Sequence, residues 1–122
     1  MTTATIFSLA KALGKIKIFA VPDKELRSAL IKDFYLANSF RKSAMEGIDA
    51  IRKKFAEDFA GKPQDEAFAE AQRAANEQID EILRSEVEAP AFVLVTCDQI
   101  ADLEQDDLTL EDTEGLAAIL KD

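Results

Sequence analysis

Between Lys24 and Ala60 the chain contains no proline, and the apolar residues Leu30, Phe34, Ala37, Ala44, Ile48, Ile51 and Phe55 follow one another at steps of 4, 3, 7, 4, 3 and 4. Alternating threes and fours form a heptad seam, interrupted once at Arg41, where Phe40 can turn in instead. The spacing predicts one helix roughly 50 Å long at a rise of about 1.5 Å per residue. Asp23, just after Pro22, is suited to cap it, because a carboxylate there accepts from free backbone N–H groups at the positive end of the helix dipole. Gly61 and Pro63 end the pattern, and Asp65 opens a second stripe, Phe68, Ala71, Ala75, Ile79, Ile82 and Leu83, running to about Val87. So short a loop returns the second helix along the first, an antiparallel helical hairpin over residues 23–89. The second helix is the shorter, so Leu26, Leu30 and Phe34 need a cover from elsewhere in the chain.

The flanking segments supply candidates. Thr5 can cap a short helix with Ile6, Leu9, Ala10 and Leu13 on one face and Gly14 as its stop. Lys15–Phe19 alternates polar and apolar residues, and Ala91–Thr96, after Pro90, is a run of β-formers. The two are expected to pair as a small two-stranded β element at the open end of the hairpin. Ile100 and Leu103 suggest one turn of helix. Thr109 can cap a last helix with Glu111, Asp112 and Glu114 near its start and Leu116, Ile119 and Leu120 as its apolar stripe. The expected fold is mainly α with a minor β part, one domain over 1–122 made of the hairpin and an acidic C-terminal segment, 90–122.

Charge separates these parts. Residues 1–85 hold 14 Lys+Arg and 13 Asp+Glu, whereas 86–122 hold Lys121 alone against 11 acids, so the net charge of −9 divides as +1 and −10. A pI near 4.5 argues against nucleic acid as a partner, since phosphate binding needs a basic face. The chain has no His and a single cysteine, Cys97. That removes the commonest general base and the commonest transition-metal ligand, and leaves no intramolecular disulfide. The apolar stretch Ile6–Leu13 is broken by Ser8 and Lys11, which supports neither a signal peptide nor a membrane span, so a cytoplasmic protein is expected.

The order of elements resembles a family of small phage and prophage proteins of uncharacterised function. The likeness begins with a helix ending in Leu13-Gly14, a short Lys/Ile stretch, and a long helix entered through Pro22 that carries the Ala50–Phe55 run Ala-Ile-Arg-Lys-Lys-Phe. It continues through Glu86-Val87-Glu88-Ala89-Pro90, the β-like run, the Ile100–Leu103 turn, and Leu108–Asp112 leading to Leu116, Ile119 and Leu120. The compact loop 61–65 departs from the variable insertion expected there. The resemblance implies a protein encoded by a phage or an integrated element and in its bacterial host's cytoplasm or associated with the virion, with no catalytic residue to carry over.

Carboxylates are the only abundant reactive groups. Asp102, Glu104, Asp106 and Asp107 could gather around a hard cation, but they lack the glycine and final bidentate glutamate of a calcium loop and read as a solvated acidic stretch. Without a histidine to activate it, Cys97 reads as a small core residue after an apolar strand. Arg41, Lys42, Arg52, Lys53 and Lys54 are interleaved with Glu46, Asp49, Glu57 and Asp58, the pattern of a salt-bridged helix surface. Neither a catalytic site, a cofactor nor a metal is expected. The expected activity is a non-enzymatic interaction or assembly role with a protein partner, including self-association into a homo-oligomer through Phe34, Phe40 and Ile48. The alternative is an acidic module, a DNA mimic or antitoxin-like inhibitor, that binds a basic partner. The apolar residues Leu116, Ile119 and Leu120 either dock a partner or cap the hairpin of the same chain.

Overall fold

A computed structural model describes residues 1–103 and 107–121. Helices dominate: α1 (Thr3–Lys15), α2 (Lys24–Asp58), α3 (Glu66–Arg84), α4 (Cys97–Ala101) and α5 (Leu110–Leu116), with single 3-10 turns at Ile18–Ala20 and Ala117–Ile119. The helix starts follow the capping residues. The Asp23 carboxylate accepts from the Glu25 N–H, that of Asp65 from the Phe68 N–H, and Thr109 and Asp112 form a reciprocal capping box. At the first helix, Thr2 rather than Thr5 is the cap, accepting from the Thr5 N–H. The hairpin turn depends on Gly61, at φ +71° the one described residue in the left-handed region.

The molecule divides into a packed head and a projecting stalk. In the head, α1 lies against the N-terminal half of α2 on one side and α5 on the other, burying Ile6, Leu9 and Leu13 with Leu26, Leu30 and Ala37 and with Val95, Leu116 and Ile119. The stalk is the outer half of α2 paired with α3. Ile48 is 2% exposed at its root, with Ile82 beside the neighbouring Gly47. Phe55, Phe59 and Phe68 meet at its tip with ring centroids 5.1–5.5 Å apart. A two-helix layer has no second layer to close over it, so no residue of α3 is fully buried.

The expected two-stranded β element is not formed; among the described residues there is no strand. Ile16 and Ile18 are buried in the core, but Ile18–Ala20 turns as 3-10 helix instead of extending. The apolar run 91–96 forms no strand either: it opens in a tight turn, the Phe92 N–H donating to Pro90 O at 2.7 Å, and its further partners lie outside 15–19. The Val93 N–H donates to Asp33 at 2.6 Å, and Val95 bonds the C-terminal chain through Val95 N to Ile119 O (2.8 Å) and Lys121 N to Val95 O (3.0 Å). Among the described residues two isolated bridges remain, Thr2 with Glu86 and Val95 with Leu120. Alternation at 15–19 fitted a strand, but with α1 and α2 joined by so few residues the chain must turn sharply there, and a 3-10 turn does that while both isoleucines stay inside.

Candidate functional site

On one side of the stalk a crevice of about 370 Å³ runs between α2 and α3. Its α2 wall is Ala50, Ile51, Lys54, Phe55, Asp58 and Phe59, its α3 wall Ala71, Ala74, Ala75 and Gln78. The helical periods explain the shape. Large side chains recur on the α2 wall at steps of 4 and place aromatic surface along the floor, whereas the facing α3 positions are alanines that leave the channel open. Lys54 and Asp58 stand at the rim, both exposed. The chemistry on offer is apolar contact with a charged border, suited to receiving a helix.

A second groove, about 460 Å³, lies on the head between Phe7, Ala10, Lys11 and Gly14 of α1 and Phe34, Asn38 and Arg41 of α2. Strongly exposed large apolar side chains elsewhere include Phe19 (85%) on the 3-10 turn, Tyr35 (69%) within α2 and Leu110 (86%) at the start of α5.

Among the described residues two carboxylates are buried. Asp112 accepts from the Lys15 ammonium at 2.8 Å and from the Thr109 N–H at 2.9 Å. The Lys15 hydrogen bond, followed by that of the Thr109 backbone, holds the Asp112 carboxyl at about 2, and the same bond raises Lys15. The pair ties α5 to the end of α1. Asp33, on α2, is fully buried: one oxygen accepts from Val93 and the other has no partner among the described residues. Burial pushes its carboxyl up to about 6, against the opposing pull of the Val93 N–H and of Lys32. It fixes the segment 91–96 to the head.

The structure disperses the residues expected to mediate contacts. Ile48 is enclosed by its own hairpin, and Phe34 and Phe40 are half-buried against the head core. Leu116 and Ile119, 1% and 0% exposed, are core residues beneath α1, and Leu120 is half-buried beside them. Cys97 is exposed, contrary to the expected core position, because the Thr96–Gln99 capping box starts a helix there and puts it in the first turn. Glu104 and Asp106 of the acidic stretch lie outside the described residues, and among the described residues no group of three or more His, Cys, Asp or Glu side chains gathers. The crevice was not anticipated, although the alanine-rich stripe of the second helix was its signal.

No family model matches the chain, and no curated protein or solved structure is significantly similar to it. Among the described residues no helix is long and apolar enough to cross a membrane.

Proposed function

We propose that this chain is a non-enzymatic interaction protein of phage or prophage type that self-associates through its helices and assists assembly of a larger particle. The observation that carries the reading is the stalk: two helices with half-exposed apolar stripes and an open crevice, projecting from a head that has closed its own core. Apolar surface held outward on a rigid rod serves contact with another helix better than it serves the stability of one copy. The phage assignment is supported by the order of elements in the sequence. Light scattering across a concentration series, at about 0.1 M and about 1 M salt, tests the reading. Apolar association persists or strengthens in high salt, and a mass near 13.5 kDa throughout removes it.

A second reading, an acidic module for a basic partner, is favoured by Asp98, Asp102, Asp107, Glu111 and Glu114, all exposed on the C-terminal segment. Binding of that kind is lost steeply as salt rises, so a complex with a basic protein that survives about 1 M salt excludes it.

A further inference from the structure

We infer that the stalk crevice is the seat of a second copy of this chain, and that the two stalks form a four-helix bundle about a two-fold axis running along them. This rests on the self-association proposed above and adds the surface and the arrangement.

Three observations lead to it. The first is the unfinished packing of the stalk. α3 spans 19 residues with an apolar stripe at Phe68, Ala71, Ala75, Ile79 and Ile82, yet none of them is fully buried. A bundle of four helices closes such a stripe, while a pair leaves it half open. The second is the crevice wall. Ala71, Ala74 and Ala75 let a helix backbone approach closely, and Phe55 and Phe59 offer the large surfaces that such an approach covers. Two helices about 10 Å wide over the roughly 28 Å length of α3 give about 600 Å² per copy, near the lower end of the range for specific dimers.

The third observation is charge, and it selects both the occupant and the orientation. α3 carries five acids and two arginines, a net −3, whereas α2 from Arg41 to Asp58 carries five bases and four acids, a net +1. Two stalks can stack face to face in two symmetric ways. An axis across the stalks sets α2 on α2 and α3 on α3, so the two acidic helices repel. An axis along the stalks sets each α2 antiparallel on the other copy's α3, where the opposite signs meet. Within one copy Gly47 is level with Ile82 and Phe55 with Phe68. Lys54 of one copy therefore comes level with the stretch around Glu70 of the other, and Glu70 is exposed and directly precedes Ala71 of the crevice wall.

The test uses the full chain and follows mass by sedimentation equilibrium. The wild type is expected at twice 13.5 kDa at tens of micromolar. Ala74→Glu introduces a good helix former at an exposed position, so the single copy keeps its circular dichroism spectrum and melt. In the dimer it buries an unpaired carboxylate, weakening association at least about 100-fold. Lys54→Glu and Glu70→Lys each turn two attractive pairs repulsive and weaken the homodimer roughly 10-fold. An equimolar mixture of these two variants restores opposite charges at both contacts and recovers dimer. A monomeric wild type overturns both the crevice proposal and the self-association beneath it. A dimer that Ala74→Glu leaves intact overturns the crevice alone, and a mixture that fails to recover overturns the axis along the stalks.

Discussion

Gly115 of α5 lies against the backbone of α1 at Ser8 and Leu9, and replacing it with alanine tests how the C-terminal segment is held. A Cβ at this position would lie 2.6 Å from the Ser8 carbonyl oxygen and 2.9 Å from its carbon, against the roughly 3.3 Å at which carbon and oxygen rest. The atoms met are backbone, so no side chain can swing aside. α5 must retreat by about 0.7 Å, which loosens the fully buried Leu116 and Ile119 and stretches the Lys15–Asp112 pair now at 2.8 Å. Overpacking of this kind costs about 1–3 kcal/mol, while alanine recovers at most about 1 kcal/mol of helix propensity, and less in a last turn. The net expectation is a loss of about 1–2 kcal/mol, or a Tm lower by roughly 4–8 °C. Gly47→Ala is the control. Its Cβ would meet only the Ile82 Cδ1, at 3.9 Å, so up to about 1 kcal/mol of propensity is gained and Tm rises by a few degrees. Thermal melts followed by far-UV circular dichroism decide it: a Gly115→Ala variant melting at or above the wild type refutes the packing of α5 on α1.

Three further outcomes follow from the same contacts. Ile48→Ala is expected to cost about 2–4 kcal/mol and Glu46→Ala less than about 0.5 kcal/mol, since one is enclosed by the hairpin and the other is solvated; urea midpoints that coincide place the seam on the wrong face. Ending the chain at Leu103 removes α5 and uncovers Ile6, Leu9 and Leu13, so a hydrophobic dye should bind and the melt broaden, whereas a truncated chain that melts like the whole one makes the C-terminal segment a free tail. Asp33, at about 6 folded against 3.8 unfolded, favours the fold when protonated. Its contribution is complete below about pH 4 and lost as pH rises through about 6, a loss of at most ~3 kcal/mol. Asp112, held at about 2, acts oppositely, its contribution present above about pH 4 and lost toward pH 2. Urea titrations at several pH values should show Asp33→Asn removing the decline between about pH 4 and 6, and an unchanged slope refutes the assignment.

Local chemistry determined most of the elements from the sequence alone. Asp23, Asp65 and Thr109 cap helices, Gly61 closes the hairpin, and the seam of Leu30, Ala37 and Ile48 faces inward, because capping and periodicity act over a few residues and are written in the residues themselves. Partners distant in sequence were not legible. Lys15–Phe19 and Ala91–Thr96 each had strand character, yet a strand exists only through its partner, and the partners proved to be Asp33 for Val93 and the C-terminal chain for Val95. The destiny of Leu116 and Ile119 was equally open in the sequence, where an apolar stripe beside acids suits a foreign surface and an internal core alike. Tertiary structure decided it through one close approach: Gly115 lets α5 lie on the backbone of α1, and Lys15 neutralises Asp112 there, so the acidic segment closes the head and the stalk keeps the open apolar surface.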